Sequence, residues 1–219
     1  MKPVLKLAAV ASAALLAGTV SASAALIDFT SNAVSTGPGT EGGGWTLTGN
    51  PEFPNTSESG PGPVGSLAGD NDGLGIKNDE LSGPQYVTIT FNKMVKLTAF
   101  HVLDLYISNS DANNYETALV SKGAVPGAPA DDALVASQVI DGTTPGYASK
   151  TTSLKGTTFT FFVGPADPGI GLGGTGNDDV GQRDYALAAI EISAVPLPAG
   201  VILMGTALGG LGLARRKRK

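Results

Sequence analysis

The segment Gln85–Phe91 reads QYVTITF and decides the fold class, because its apolar residues alternate with threonines. Successive side chains of a strand point to opposite faces, so Val87, Ile89 and Phe91 are predicted to share one face. Thr157–Val163, TTFTFFV, repeats this pattern. Such alternation is typical of strands in an antiparallel sheet that has one face in the core.

Other short apolar runs lie between clusters of Gly, Pro, Asn and Asp, which favour turns. Gly (31) and Pro (14) make up about a fifth of the 219 residues and disfavour long helices. We therefore predict an all-β fold, a two-sheet antiparallel β-sandwich of jelly-roll-like form whose first and last strands pair. The further predicted strands are Leu26–Thr30, Trp45–Thr48, Val95–Ile107, Thr117–Ser121, Leu134–Ile140 and Tyr185–Ser193.

Charge and cysteine content exclude several function classes. All 19 Asp and Glu lie between Asp28 and Glu191 with only seven Lys and Arg, so this interval carries a net charge of −12. Nucleic-acid binding is not expected, because neutralising phosphates requires clustered Lys and Arg. The chain has no Cys, which excludes disulfides, thiolate catalysis and Cys-based zinc sites.

The first 24 residues have the three zones of a secretory signal peptide. Two lysines precede the uncharged stretch Leu7–Gly18, and the small residues Ala22 and Ala24 follow it. The apolar stretch is too short to cross a hydrocarbon core of about 30 Å. We predict that a signal peptidase cleaves after Ala24, so that the mature domain, 25–194, begins at Ala25.

The tail 195–219 has three consecutive parts: a proline motif, an uncharged stretch at 199–214 and a terminal basic cluster. As a helix, 199–214 rises about 24 Å, and about 30 Å counted from Val195, enough to span a thin bilayer. The basic cluster predicts a cytoplasmic C-terminus, with 25–194 on the outer side. The motif is Val195, Pro196, Leu197 and Pro198, and the basic anchor is Arg215, Arg216, Lys217, Arg218 and Lys219.

This tail resembles the PEP-CTERM protein-sorting signal in its VPLPA variant, which exosortase-type membrane enzymes of Gram-negative bacteria recognise. The family motif is typically Val-Pro-Glu-Pro, and Leu197 replaces the usual Glu here. The resemblance implies a precursor that is held in the inner membrane, cut near the motif and released to the cell surface or extracellular matrix. It covers only 195–219 and does not identify the cleaved bond.

Calcium is the only cofactor for which the sequence offers candidates. Asp70–Gly73, DNDG, resembles the start of an EF-hand, but the fifth and twelfth positions are leucine, so the match fails. Gly173–Gly181 fits a single nonapeptide of a calcium β-roll, which needs stacked repeats. An isolated calcium held by Asp178 or Asp179 is an alternative to plain Asx turns.

Catalytic candidates are few. His101 is expected to be a paired, semi-buried histidine, because a Ser-His-Asp triad would need partners from another strand. A carboxylate pair for glycoside hydrolysis could come from any of the 19 acidic residues, so the pattern identifies none. By period two, the residues that share the His101 face are predicted to be Leu97, Ala99, Leu103 and Leu105.

Aromatic residues offer a second type of site, a platform on which sugars stack. Trp45 follows three glycines, so its ring is either a core residue, which we favour, or an exposed ligand contact. The candidates for such a platform are Trp45, Tyr86, Tyr106, Tyr115, Tyr147 and Tyr185.

The sequence thus predicts a non-enzymatic exported protein with a structural or adhesive role at the cell surface or in an exopolysaccharide or biofilm matrix. Its expected partners are signal peptidase, an exosortase-type sorting enzyme, the membrane through the tail, and exopolysaccharide. The first alternative is a carbohydrate-binding module, with or without calcium. A matrix hydrolase is the second alternative.

Overall fold

The computed structural model describes residues 24–32, 43–50, 62–76, 80–106, 116–124, 130–135, 146–164 and 184–195. These residues form eight β-strands and connecting turns, with no α-helix among them, which confirms the all-β prediction. No helix in the described ranges is long and apolar enough to cross a bilayer. The strands are β1 Ala25–Asp28, β2 Trp45–Asn50, β3 Leu81–Ser82, β4 Tyr86–Leu103, β5 Thr117–Lys122, β6 Asp132–Val135, β7 Ala148–Val163 and β8 Asp184–Ala194.

All strand pairs are antiparallel, and hydrogen bonds join the strands in the order β1-β8-β4-β7-β5-β6. In addition, β2 pairs with β4, and β3 pairs with β8. The predicted pairing of the first and last strands is confirmed, with Ala25 opposite Ile192 and Asp28 opposite Ala189. The chain therefore closes on itself between the first and last described strands.

Strand β4 is one continuous strand, where the sequence predicted two. Its first part, up to Phe91, pairs with β2, and its second part, from Val95, pairs with β8. Strand β7 runs along both parts, with a register shift between Thr90 and Val95. The exposed residues Asn92–Met94 mark the point at which β4 changes partner, and the two polar residues Asn92 and Lys93 explain why the sequence predicted a break there.

Three further strands, β7, β3 and β6, differ substantially from the prediction. Strand β7 begins at Ala148 rather than Thr157. The sequence did not predict its first part, because Lys, Ser and Thr dominate that segment and its hydrophobic residues that pack against the core are Ala148 and Leu154. The two-residue strand β3 is too short to have shown a period. Strand β6 is shifted toward the N-terminus of its predicted range, and 136–140 lies outside the described residues.

Residues from both parts of β4 and from β7 share one apolar core. Phe100, in the second part of β4, contacts Phe161, which pairs beside the first part, with ring centroids 5.9 Å apart. At the other side of the core, Phe29 contacts Trp45 edge to face at 5.8 Å. The Tyr185 hydroxyl donates to the Phe162 carbonyl at 3.2 Å. These contacts place side chains of β8 and β2 in the same core.

Strand β8 is buried on both faces, because the segment 62–76 covers its outer side. Leu67 packs there against Ala186, Ala188 and Ala189. The small alanines allow this close approach. At Gly69, with φ +66°, an added Cβ would stand 1.8 Å from the Gly62 carbonyl oxygen, so only glycine fits.

The carboxylate of Asp28 holds this covering segment in place. Its Oδ1 accepts from the Thr30 backbone N–H at 2.9 Å and from the Thr30 hydroxyl at 2.6 Å, and its Oδ2 accepts from the Ala68 N–H at 2.8 Å. The Thr30 hydroxyl in turn accepts from the Gly69 N–H at 2.9 Å. The segment is thereby bonded to the residues that directly follow β1.

The register gives the domain two distinct ends. At the exit end, Ala194 lies opposite Val95, and Ala25 lies opposite Ile192. At the loop end, Leu103 lies opposite Ala186 near the start of β8. The described residues that flank the connections 107–115 and 165–183 lie at this end too. The ten steps along β8 separate these ends by about 33 Å.

Truncation of Phe161 tests the shared core. Phe161→Ala is expected to lower the free energy of unfolding by about 3–5 kcal/mol, because it removes a fully buried ring that contacts both halves. Urea denaturation followed by Trp45 fluorescence measures it, since Trp45 is the chain's one tryptophan and is buried. Met94→Ala, at an exposed side chain, is the control; equal losses in both variants would contradict the assignment.

Candidate functional site

Two acidic side chains meet inside the loop end. Glu116 directly precedes β5 and Asp184 begins β8, and the two residues are only 6% and 8% exposed. Their side chains are hydrogen-bonded to each other. Glu116 Oε2 also accepts from the Tyr106 backbone N–H at 2.5 Å, and the Glu116 N–H donates to the Tyr106 carbonyl at 3.1 Å. The pair thus links the ends of β4, β5 and β8.

Burial raises the pKa of Glu116 to about 10. The Tyr106 N–H opposes this shift, because it stabilises the carboxylate, whereas the negative charges of Asp184 and Glu80 and the hydrogen bond to Asp184 raise the pKa further. At neutral pH the pair therefore retains one proton, which lies in the hydrogen bond between Glu116 and Asp184. Such direct contact differs from the separation of about 5–5.5 Å between the carboxyl groups of retaining glycosidases.

A tight turn presents Tyr106 beside this pair. Asp104 has φ +56°, in the left-handed region, and Leu105 N–H donates to the Gly146 carbonyl at 3.1 Å. An added Cβ at Gly146 would stand 2.6 Å from the Asp104 Cα, so the two backbones touch. The Tyr106 hydroxyl reaches Asp104 Oδ1 at 3.4 Å. Tyr106, whose side chain is partly exposed, thus contacts Asp104 through its hydroxyl and Glu116 through its backbone N–H.

His101 is buried on the outer face of the sheet, and both of its ring nitrogens are occupied. Nδ1 is 2.9 Å from the Tyr147 hydroxyl and Nε2 is 3.3 Å from Glu191 Oε1. The imidazole and the Tyr147 ring are nearly parallel, with an interplanar angle of 22°. This is the paired, semi-buried histidine expected from the sequence, and neither partner is a serine.

The predicted neighbours of His101 need correction. A register shift between Leu97 and Ala99 reverses the alternation, so Leu97 packs in the main core, on the face opposite His101. Leu105 also belongs to that core. Leu103 does lie on the outer face, as predicted, with the alanines of β8. A bulge adds one residue to a strand, and a strict period of two cannot anticipate it.

The aromatic candidates divide clearly. Trp45 is 1% exposed and packs on Phe29, so its ring belongs to the core and has no free face for a sugar. Tyr185 is fully buried as well. Tyr106 and Tyr147 are partly exposed, as is Tyr86, whereas position 115 lies outside the described residues.

The calcium candidates are not brought together by the described part of the chain. The Asn71 side chain accepts from the Gly73 N–H at 3.0 Å and stabilises the local turn, whereas Asp70 Oδ2 accepts from the Asn32 N–H at 3.2 Å and joins the turn to the residues after β1. The described residues include no group of three His, Asp or Glu that could hold a metal ion. Asp178 and Asp179 lie outside the described residues.

The processing residues flank the sheet. Ala24 directly precedes β1, which begins at Ala25, and Val195 directly follows the last residue of β8. The other predicted processing and anchor residues lie outside the described ranges. These are Ala22, Pro196, Leu197, Pro198, Arg215, Arg216, Lys217, Arg218 and Lys219.

No protein-family model and no curated protein matches the chain. Among solved structures, CpGH89CBM32-5 from Clostridium perfringens, in complex with GalNAc-β-1,3-galactose, is similar at 16% identity. The match covers 68% of this chain and 95% of that chain with a TM-score of 0.29. A likeness at this level carries no argument about fold or ligand.

Replacement of Glu116 tests the proton at the loop end. Because the pKa of Glu116 is raised, its contribution to stability is complete below the unfolded-state pKa and is lost as pH rises toward about 10. The free energy of unfolding should fall by up to about 1.4 kcal/mol per pH unit over this window. Glu116→Gln, which imitates the protonated acid, should flatten this dependence in urea titrations between pH 5 and 9.

Asp131→Asn supplies the control of opposite sign. The Lys122 backbone N–H lowers the pKa of Asp131, so the contribution of Asp131 to the free energy of unfolding is lost as pH falls. Asp131→Asn should therefore leave the alkaline slope unchanged. An alkaline slope that is the same in the wild type and in Glu116→Gln would contradict the assignment.

Proposed function

We propose that this chain is an exported β-domain that is tethered through its C-terminal tail and then released to the cell surface or matrix. Signal peptidase would remove 1–24, and an exosortase-type enzyme would act at Val195–Pro198 while 199–214 lies in the inner membrane. The mature domain has a structural or adhesive role in exopolysaccharide or biofilm and is not an enzyme.

One observation carries the proposal: the sheet is closed between the two predicted processing points. Strand β1 begins one residue after the predicted signal cleavage, and β8 ends one residue before the motif. Every residue of the main core lies between Ile27 and Ile192. Cleavage at both points would therefore leave all the described strands and the core intact, as a released domain requires.

The same contacts support the two-sheet, jelly-roll-like sandwich predicted from the sequence. In this arrangement β4 and β7 each contribute to both sheets, and their partners change at Asn92–Met94. Phe100 and Phe161 would then meet between the sheets. The loop end lies about 33 Å from the tether and would face away from the membrane.

Removal of the prolines tests the sorting tail. In Pro196→Ala/Pro198→Ala, the species that begins at Ala25 and ends between Val195 and Pro198 should disappear from the medium and envelope. The protein should then stay in the membrane with Lys219 intact, because the extended recognition backbone is lost. Intact mass of each fraction measures this, in cells with and without the sorting enzyme.

Pro84→Ala, at an exposed turn proline of the folded domain, is the matched control and should be processed normally. A membrane-bound species that retains Lys219 whether or not the sorting enzyme is present would contradict the proposal. It would mean a simple tail-anchored domain.

The carbohydrate-binding alternative is favoured by one observation, the position of Tyr106. Its ring is partly exposed at the loop end beside Asp104 and Glu116. Sugar sites combine an aromatic surface with a few polar groups that orient the hydroxyls. In this alternative, Tyr106 replaces the core residue Trp45 as the stacking residue, and calcium held at 178–179 would be an addition.

Tyr106→Ala tests this alternative. Retention of the released domain on its own exopolysaccharide, immobilised on a column, should weaken about two- to tenfold, because an aromatic contact is worth about 0.5–1.5 kcal/mol. Tyr147→Ala, on the outer face, is the control. Equal retention of the wild type and Tyr106→Ala would end the alternative, and a loss of retention in chelator would indicate the calcium-assisted form.

A further inference from the structure

The lysines of this acidic domain are distributed unevenly. Lys93 and Lys155 are exposed at the exit end, and Lys96 is partly exposed there. Lys96 and Lys155 are cross-strand partners, so both side chains project from the outer face. The Lys93 stem lies against Gly43, where an added Cβ would be 2.9 Å from Lys93 Cδ. Three cations therefore surround the point where β4 changes partner.

These three lysines have no charge partner among the ion pairs of the described residues, unlike a fourth lysine at the same end. Lys122 Nζ is 3.1 Å from Asp131 Oδ1. Like charges directly opposite each other in a sheet are destabilising. The pairing of Lys96 with Lys155 is thus a cost to the fold unless an anion lies between or above them.

The apolar surface of the described residues is concentrated at the same end. Met94, between Lys93 and the start of the second half of β4, is 58% exposed, and Leu26 is 37% exposed. These are the exposed large hydrophobic side chains in the described ranges. Ala194, the last residue of β8, lies opposite Val95 beside this patch. Cationic and apolar groups therefore surround the point where the tail leaves.

We propose that Lys93, Met94, Lys96 and Lys155 form a docking face for the anionic lipid headgroups of a bilayer. The inference rests on the tether proposed above, because Val195 follows the sheet directly and holds this face close to the membrane surface. Each lysine near an anionic surface contributes about a fivefold gain in association, and Met94 reaches the headgroup region. The opposite, carboxyl-bearing end is repelled, so docking also orients the domain.

Docking is measured with the full chain in nanodiscs that contain either phosphatidylcholine alone or added phosphatidylglycerol. The chain has no cysteine, so single-cysteine variants at two exposed turn residues accept one fluorophore each. Ala124→Cys probes the exit end and Pro84→Cys the loop end. Quenching by headgroup-labelled lipid should be several-fold greater at position 124, only in anionic discs, and should vanish in high salt.

Lys93→Gln/Lys96→Gln/Lys155→Gln should abolish this difference, whereas Lys150→Gln, whose lysine lies 3.8 Å from Asp132, should not. Equal quenching at both probes, or quenching unaffected by lipid charge, would overturn the docking face while the tether stands. A chain that does not insert into the discs would overturn the tether and the inference together. Displacement by soluble polygalacturonate that exceeds any lipid effect would also overturn it, in favour of an acidic polysaccharide.

Discussion

The continuity of β4 is the constraint on which the rest of the structure depends. Backbone N–H and C=O groups inside a fold must be paired, and β4 pairs along one edge with β7 and along the other with β2 and then β8. Because one strand serves both halves, neither half can complete its hydrogen bonding without the other. The contact of Phe100 with Phe161 then follows, since the change of partner brings the two apolar faces together.

The same change of partner fixes where the chain begins and ends. Strand β8 pairs with β4 only from Val95 onward, so its last residue lies opposite Val95, and β1 lies at the same end because it pairs with β8. The chain therefore enters β1 and leaves β8 at one end of the domain. Charge follows this geometry: lysines and exposed apolar side chains occupy the exit end, whereas Glu116 and Asp184 occupy the loop end. The two ends of the domain therefore differ both in topology and in charge.

The sequence predicted what depends on local alternation. Val87, Ile89 and Phe91 are inward, as period two requires, and the first and last strands pair. It did not predict the reversal between Leu97 and Ala99, because one inserted residue is invisible to the pattern. Nor could it identify the contact of Glu116 with Asp184. These residues are distant in the chain, and the two carboxyl groups meet only because the first residues of β5 and of β8 lie at the same end of the domain.

This contrast explains why the sequence yields more specific predictions about export and sorting than about ligand binding or activity. A sorting signal is recognised as a linear segment, so the order of its residues is enough to predict it. The arrangement of the loop end depends instead on the turn at Asp104, where the backbone meets Gly146, and on the proton shared by Glu116 and Asp184. That proton removes a charge repulsion that would otherwise separate β5 from β8. The loop end of the domain is thus held together by a protonated acid pair, and the Tyr106 backbone is placed by its hydrogen bonds to Glu116.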